Sequence, residues 1–192
     1  MARAVLPTRH GNFTILGIEG SGPQEVVVVL RHGPAKLRGA PLVRIHSQCL
    51  TGDVLASQRC DCRAQLEMAL RKIAAAPSGL LLYVPQEGRG IGLINKIHAY
   101  ELQDQGLDTV AANAELGFEA DLRDYRMPAQ ILKHLGAVRV RLLSNNPEKV
   151  QGLEREGITI EERIPLEIPP NSLTRGYLKI KKEKLGHLLS KV

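Results

Sequence analysis

The spacing of apolar residues along this chain changes from a strand pattern to a helix pattern near residue 60. The apolar run VVVVL at 26–30 and the segment VRIHSQ at 43–48 are flanked by Gly and Pro, and both predict strands. Between residues 60 and 76, apolar residues recur at i, i+3, i+4 and i+7 from Leu66 onward, as in an amphipathic helix. The pattern therefore predicts a β-rich N-terminal part that leads into a helix.

Helices and strands alternate over the rest of the chain. Strands are predicted for the apolar runs GLLLYVP, VRVRLLS and ITIEERI. Helices, most of them bounded by Gly, Asp or Asn-Pro signals, are predicted at about 93–105, 108–116, 127–136, 147–157 and 177–189. This order favours an α/β fold (mixed α and β) in a single domain over residues 1–192. Residues 165–176 form an irregular segment before the C-terminal helix, whose lysines from Lys179 to Lys184 are interpreted as a solvated face.

Composition narrows the functional classes. Hydrophobic residues make up 43% of the 192 residues and aromatic residues only 3%, so the core is expected to be aliphatic. The formal charge of +6 suits an anionic partner, although it also serves solubility. Two Phe, four Tyr and no Trp provide little material for stacking bases. Nucleic acid is therefore not the expected partner.

The sequence also bears on where the protein works. No segment approaches the ~20 apolar residues that a membrane span requires, and the start MARAVLPTRHGNF lacks the apolar core of a signal peptide. An odd number of cysteines, three, without a secretion signal indicates reduced thiols. We therefore expect a cytoplasmic protein without a membrane partner.

The three cysteines, Cys49, Cys60 and Cys62, fall within the short run CLTGDVLASQRCDC. Three thiolates bind Zn²⁺ well and leave one tetrahedral position open, which distinguishes a catalytic zinc site from a structural one. The start of the helix that follows Cys60 would favour thiolates. Two alternatives stay open: the cysteines are small buried apolar residues, or His46 completes a structural zinc site.

Three further segments carry candidate chemistry. The run EGRGIG at 87–92 lies between a strand and a helix, where glycines and helix-start N–H groups favour an anion and Arg89 adds a phosphate donor. A tight turn with a solvated arginine is the alternative. Asp121 and Arg123 lie in a charged run and are candidate site residues. The alternative is that this run is a solvated loop. Lys149, in the first turn of a helix, has the wrong charge for the helix dipole, which suggests a ligand phosphate.

Read together, these segments resemble the GTP cyclohydrolase II family, whose members open riboflavin synthesis. The similar segments run in order from about residue 5 to 190: RIHSQCLTGDVLASQRCDC, QEGRGIGLINKIHAYELQDQGLDT, LGFEADLRDY, RLLSNNPEKV and YLKIKKEKLGHLL. Several long segments in a fixed order are more specific than any single motif. The resemblance implies a single compact GTP cyclohydrolase II-like domain.

The activity that the resemblance implies is a zinc-dependent hydrolysis of GTP. The family opens the imidazole ring of guanine at C8 and releases formate and pyrophosphate, which leaves a diaminopyrimidine ribosyl monophosphate. It is similar in holding one Zn²⁺ per chain on the three cysteines, in needing Mg²⁺ with the triphosphate, and in forming homodimers. GTP is thus the expected small-molecule partner.

Individual roles also follow from the resemblance alone. Asp121 corresponds to the general base of the family, Arg123 to its proposed nucleophile, and Tyr100 to a tyrosine that completes deformylation. The residues expected to bind GTP are Arg44, Ile45, His46, Ser47, Gln48, Gln65, Glu87, Gly88, Arg89, Thr109, Ser144 and Lys149. A second role for Arg123 stays open, because a guanidinium is protonated below pH ~12 and has no good lone pair. In that role Arg123 stabilises charge on the α-phosphate as pyrophosphate leaves.

Departures from the usual pattern of the family leave other functions open. Gln48 replaces the usual Glu, Arg63 the usual Gly and Ser144 the usual Thr. The first two changes make the expected GTP site more positive. One alternative is therefore a paralogue that stops at the formamide or serves another guanine-derived pathway, although Tyr100 argues against early stopping. More distant alternatives are a zinc-containing nucleic-acid-binding module and a structural-zinc scaffold.

Overall fold

The computed structural model describes residues 1–20 and 26–192. In the described residues, seven strands form one sheet in the order β1-β2-β3-β5-β4-β6-β7, and the predicted α/β class is confirmed. The strands are β1 (Ala2–Thr8), β2 (Gly11–Glu19), β3 (Val26–His32), β4 (Leu42–Ser47), β5 (Gly79–Val84), β6 (Arg139–Leu143) and β7 (Thr159–Ile164).

The sheet is antiparallel in its N-terminal half and parallel in its C-terminal half. β1, β2, β3 and β5 pair antiparallel in that order, whereas β6 pairs parallel with both β4 and β7. The first two strands are joined by a tight hairpin in which Thr8 is opposite Gly11. A parallel pair needs a crossover connection instead, and a helix supplies it between β6 and β7. The β-rich start and the later alternation follow from this difference.

Apart from the C-terminal helix, the helices match the predicted ones closely. Asp108 caps one helix by accepting hydrogen bonds from the amides of Val110 and Ala111, and Asn146 caps another by accepting from the amide of Glu148. The helices are α1 (Cys62–Ala74), α2 (Gly92–Asp104), α3 (Thr109–Glu115), α4 (Arg126–His134), α5 (Pro147–Arg155) and α6 (Arg175–Leu185).

The described residues divide into two compact units, and the prediction of one domain over 1–192 stays a prediction. Unit 1, which carries the sheet, α4 and α5, comprises residues 1–46, 65–85 and 124–166. Unit 2, which carries α2, α3 and α6, comprises residues 47–64, 86–123 and 167–192.

The aliphatic core lies in unit 1. Along β5, Leu80 and Leu82 belong to one buried cluster and Leu81 to another, because successive side chains of a strand point to opposite faces. Both faces of this strand are therefore covered, as its continuous apolar run predicted. Among the described residues, no helix has both the length and the apolar composition to cross a membrane.

Two expectations about the C-terminal helix are wrong. The helix ends at Leu185 and not at residue 189, because Gly186 takes a left-handed conformation (φ 62°) that terminates it. Its lysines do not all form a solvated face, since the Nζ of Lys181 lies 3.0 Å from Oδ1 of Asp61 in a buried ion pair. Periodicity alone could not reveal this pair, because its partner is 120 residues away in the chain.

Candidate active site

The three cysteine thiols of unit 2 converge. Their sulfur atoms all lie within 4.8 Å of one another, and Sγ of Cys49 is 3.8 Å from Sγ of Cys60. Zn–S bonds of about 2.3 Å in a tetrahedron put neighbouring sulfurs about 3.8 Å apart. Cys49 follows β4, and Cys60 and Cys62 flank the start of α1. The donor set and its spacing therefore fit a metal ion with thiolate preference.

A π-helical turn over Leu50–Val54 brings Cys49 to the other two cysteines. The amide of Cys49 donates to Oδ2 of Asp53 (3.0 Å), and the amide of Asp53 donates to the carbonyl of Cys49 (2.7 Å). Gly52 lies directly beneath the sulfurs: a Cβ there would be 2.8 Å from Sγ of Cys60 and 3.1 Å from Sγ of Cys49. The absent side chain at Gly52 thus makes room for the thiols.

A buried lysine lies against the thiol cluster. The Nζ of Lys96, on α2, donates to Sγ of Cys49 (3.2 Å), to Oγ1 of Thr51 (3.0 Å) and to Oε1 of Glu87 (2.7 Å). The other carboxylate oxygen of Glu87 accepts from the amide of Leu50 at 2.6 Å. Burial alone would lower the pKa of Lys96, but the hydrogen bond to Glu87 and the charge on Cys49 raise it well above its usual value. The ammonium is therefore charged.

The three thiols are not equivalent. The pKa of Cys49 lies far below its ordinary value because Cys60 and Cys62 hydrogen-bond to its sulfur, and the charge of Lys96 acts in the same direction. The pKa values of Cys60 and Cys62 are raised, first by those same hydrogen bonds and then by burial. A metal that binds all three sulfurs would therefore displace protons from two of them.

Tyr100 lies one helical turn beyond Lys96 on α2. Its hydroxyl is 3.2 Å from Oγ1 of Thr51, and the guanidinium of Arg59 stacks 4.9 Å from its ring centroid. Arg59 is held in turn by Asp104, through a 2.7 Å hydrogen bond. Burial raises the pKa of Tyr100, and the Thr51 contact and the charge of Lys96 oppose that effect. Tyr100 is therefore a neutral hydrogen-bonding group next to the thiol cluster.

A second group in unit 2 joins Arg89, Asp121 and Arg123. The guanidinium of Arg123 donates from Nε to Oδ1 of Asp121 at 2.8 Å, and the amide of Leu122 donates to the carbonyl of Arg89 at 3.0 Å. Burial would raise the pKa of Asp121, but the hydrogen bonds and charge of Arg123, with a smaller effect of Arg89, lower it. Asp121 is therefore ionised and paired.

The backbone around Arg89 is unusual. Gly88 and Arg89 both take left-handed conformations, with φ of 61° and 60°, within a 3₁₀ turn over Glu87–Gly90. This region disfavours a residue with a Cβ, and non-glycine residues held there cluster at functional sites. The EGRGIG run is therefore a constrained turn between β5 and α2 rather than a simple loop.

Six of the predicted GTP-binding residues lie in unit 1. Arg44 is buried and donates to the carbonyl of Leu143 (2.9 Å) and to Oε1 of Gln65 (2.8 Å). Lys149 is also buried, and its Nζ donates to the carbonyl of Ile45 at 2.8 Å. The unit 1 residues are Arg44, Ile45, His46, Gln65, Ser144 and Lys149.

The charge of Lys149 therefore has an internal partner, so its place in the first turn of α5 does not by itself require a ligand phosphate. Similarly, Oγ of Ser144 donates to the carbonyl of Asn146 (3.2 Å) and accepts from its amide (3.1 Å), which closes the turn before α5. The remaining predicted residues lie in unit 2: Ser47, Gln48, Glu87, Gly88, Arg89 and Thr109.

Comparisons with known proteins decide the family. A sequence model described as GTP cyclohydrolase II matches residues 1–165. The chain belongs to the GTP cyclohydrolase II family. It is 53% identical to a GTP cyclohydrolase-2 of Hahella chejuensis, over 99% of this chain and 92% of that protein. It is also 51% identical to a GTP cyclohydrolase-2 of Neisseria meningitidis, over 99% of this chain and 96% of that protein.

Longer proteins also match this chain over part of their length. The chain is 52% identical to the riboflavin biosynthesis protein RibBA of Chlorobium phaeovibrioides, over 96% of this chain and 45% of that protein. The chain thus spans about half the length of the RibBA relatives that it matches, and more than nine-tenths of the two GTP cyclohydrolase-2 relatives. The prediction that the chain is an enzyme of the GTP cyclohydrolase II family is confirmed.

The surroundings of the three cysteines differ from both alternatives that the sequence left open. Among the described residues, the group of side chains spaced to hold a metal consists of the three cysteines and includes no histidine. The ring of His46 stacks on Tyr83, with centroids 5.5 Å apart. A charged ammonium at 3.2 Å from a sulfur is not the surrounding of a small apolar cysteine.

Two residues next to the thiol cluster were missed in the sequence. Thr51 and Lys96 contact the thiol cluster, but neither was a candidate. A signal did exist: Lys96 and Tyr100 are four residues apart and so share one face of α2, among apolar neighbours. A lysine on the buried face of a helix usually has a partner, and the sequence could not name Cys49 as that partner.

Proposed function

We propose that the chain is a zinc-dependent GTP cyclohydrolase II, which hydrolyses the imidazole ring of GTP at C8 and releases formate and pyrophosphate. The observation that carries the proposal is the convergence of three thiols, 4.8 Å or less apart, beside Lys96 and Tyr100 in a member of this family. Cys49, Cys60 and Cys62 would hold the Zn²⁺. When bound, zinc supplies Lewis acidity and a water of lowered pKa.

Tyr100 would donate a hydrogen bond to the oxygen that develops charge as the ring carbon is attacked. The support is its position, since its hydroxyl is 3.2 Å from Thr51, which itself contacts Lys96. Its raised pKa keeps the phenol protonated at neutral pH, so that it can donate. The same role would serve both the opening of the ring and the loss of formate.

Asp121 would accept a proton, and Arg123 would stabilise charge on the phosphates. Asp121 is ionised and so able to accept a proton, while its contacts with Nε and Nη2 of Arg123 keep the guanidinium protonated and oriented. A protonated guanidinium lacks a lone pair for attack. We therefore assign Arg123 the electrostatic role, which is to stabilise charge on the α-phosphate as pyrophosphate leaves. A covalent nucleotidyl adduct trapped on Arg123 would contradict this assignment.

GTP binding, metal dependence and assembly complete the proposal. Arg89, on its constrained turn, would bind phosphate. Mg²⁺ would accompany the triphosphate, the protein would act as a homodimer, and its location would be the cytoplasm. Sedimentation of the zinc-loaded protein tests the dimer, and omission of Mg²⁺ from the assay tests the metal requirement.

The direct test is incubation of the zinc-loaded protein with GTP and Mg²⁺. We expect the purine absorbance to change as the ring opens, with formate and pyrophosphate formed in equal amounts. Pyrophosphate with a retained formamide would instead indicate the paralogue that stops early. An unchanged GTP spectrum with fully metal-loaded protein would refute the hydrolase.

Replacement of a metal ligand separates catalytic from structural zinc. In Cys60→Ser we expect GTP turnover to fall by more than the roughly 10- to 100-fold that is typical of losing an outer-shell partner. We expect the circular dichroism of the sheet to persist, because the sheet lies in unit 1. Ser57→Ala, in the same loop but outside the thiol cluster, is the control. Global unfolding of Cys60→Ser alone would favour the structural-zinc scaffold.

A further inference from the structure

The ammonium of Lys96 has no donor to spare for a substrate. A lysine ammonium has three N–H groups, and the three acceptors of Lys96 are Cys49 Sγ, Thr51 Oγ1 and Glu87 Oε1, at 3.2, 3.0 and 2.7 Å. Its side chain is only 11% exposed. Lys96 therefore acts through its neighbours and not by contact with GTP.

The surroundings hold this ammonium in place. Oε1 of Glu87 also accepts from the amide of Gly88 (3.0 Å), while Oε2 accepts from the amide of Leu50 (2.6 Å). Glu87 is thus fixed by two backbone amides from two different turns. Lys96, anchored to Glu87, places one N–H group on the sulfur of Cys49.

The charge at the thiol cluster explains why such a contact matters. Three thiolates around a divalent cation leave a net charge of about −1, which weakens the ability of the ion to polarise water or a nucleobase. A charged hydrogen bond to a coordinating sulfur withdraws electron density from it, and hydrogen bonds to sulfur ligands tune metal centres in this way. Cys49 is a sulfur with such a donor.

We propose that Lys96 is a positioning residue, which fixes the sulfur of Cys49 and reduces the electron donation of that sulfur to the bound metal. The inference rests on the proposed zinc site, and it deepens the proposed function by assigning a role to a side chain outside the ligand set. Lys96 also orients Thr51, whose hydroxyl lies 3.2 Å from that of Tyr100. One lysine thereby connects the metal ligand to the hydrogen-bonding residue of the site.

Three variants isolate this contact. Lys96→Met alone would leave the charge of Glu87 buried and unpaired, which is itself destabilising. We therefore compare Glu87→Gln with the double variant Lys96→Met/Glu87→Gln, in which no uncompensated charge remains. Lys179→Met is the matched control, because Lys179 lies on α6 and its side chain is 64% exposed.

The readouts are the sulfur-to-metal charge-transfer absorption of the Co²⁺-substituted protein and the zinc affinity in competition with a chelator. Relative to Glu87→Gln, we expect the double variant to show a charge-transfer band at lower energy, because the sulfur has lost a charged donor. We expect its zinc affinity to fall about tenfold, as is typical for loss of an outer-shell partner, because the loss of a fixed position for the sulfur of Cys49 outweighs the stronger electron donation. Lys179→Met should match the wild type in both measurements.

Two results would overturn the inference. One is a double variant whose band and zinc affinity equal those of Glu87→Gln. The other is a loss of affinity with an unchanged band, since Lys96 would then only support the fold. If the double variant does not fold, Lys96→Gln replaces it, because its amide can still bond Glu87 but carries no charge. An unchanged band in Lys96→Gln would equally overturn the inference.

An activity arm keeps this inference distinct from the proposed function. With GTP, the double variant should lower kcat relative to Glu87→Gln with little change in KM, because Lys96 contacts the metal ligand and not the substrate. If the wild-type protein does not open GTP, the proposed function fails, whereas the cobalt spectra still test Lys96. If the wild type is active and the spectra do not shift, only the inference fails.

Discussion

At the scale of single residues, the thiol cluster depends on a glycine, which has no side chain, as much as on the cysteines themselves. Gly52 lies under the thiols, and a Cβ at this position would be 2.8 Å from Sγ of Cys60, 3.1 Å from Sγ of Cys49 and 3.2 Å from Cβ of Cys62. Contacts below 3.0 Å force something to move. Cysteine side chains are too short to move without changing the positions of their sulfurs.

Gly52→Ala should therefore disturb metal binding. We expect zinc affinity to fall by about tenfold or more, because the added methyl group separates sulfurs that must stay about 3.8 Å apart. Chelator competition measures the affinity. Gly176→Ala is the control, since a Cβ there meets no atom within 4 Å and alanine in a helix gains up to about 1 kcal/mol over glycine. Equal affinity of Gly52→Ala and wild type would show that the thiols have room to spare.

At the scale of elements, α6 is held to the rest of unit 2 by charge pairs as well as by apolar contacts. Lys181 pairs with Asp61, which lies between two of the cysteines, and Lys184 donates to Oδ2 of Asp108 at 2.5 Å. The ammonium of Lys181 also lies 4.3 Å from the ring centroid of Tyr177. The side chains of Asp61 and Lys181 are 3% and 11% exposed, so their pair is shielded from solvent.

Loss of one partner of this pair should loosen the helix. For Lys181→Met we expect a local destabilisation of about 3–5 kcal/mol, since the buried carboxylate of Asp61 loses the ammonium that pairs with it. Hydrogen exchange of α6 should become faster, whereas Lys179→Met, which removes an exposed lysine of the same helix, should leave it unchanged. The double variant Lys181→Met/Asp61→Asn should restore much of the protection. Equal exchange in the two single variants would mean that Lys181 is solvated after all.

At the scale of the whole molecule, hydrophobic and metal-binding residues are distributed unequally. Both buried apolar clusters of the described residues lie in unit 1, whereas the three cysteines lie in unit 2. Unit 2 carries the helices α2, α3 and α6 and several separate ion pairs. A unit with a small apolar core usually needs additional stabilisation, which a metal at the three cysteines would supply.

Removal of the metal should therefore affect the two units differently. After treatment with a chelator, we expect faster hydrogen exchange in residues 47–64 and 86–123, with little change in the strands of the sheet. A metal at the three cysteines would stabilise the folded state by binding it in preference to the unfolded chain. Restored protection on addition of Zn²⁺ would support the expectation. Uniform loss of protection across both units would contradict it.

The sequence predicted most elements because their signals are local. The helix start at Asp108, the Asn-Pro signal before α5 and the continuous apolar run of β5 act within a few residues, and each was confirmed. The family also followed from the sequence, because its long segments keep their order. Where a local signal was overridden, as at the end of α6, a single glycine in a left-handed conformation ended the helix earlier than the periodicity indicated.

By itself, then, the sequence determined the α/β class and the family, and it identified the three cysteines as candidate metal ligands. Only the tertiary structure decided which charges meet: Lys96 reaches Cys49 across 47 residues of chain, and Lys181 reaches Asp61 across 120. The physical reason is that periodicity and capping report a residue's immediate neighbours. A buried ammonium, in contrast, takes whichever distant acceptors the packing of the chain brings within hydrogen-bonding distance.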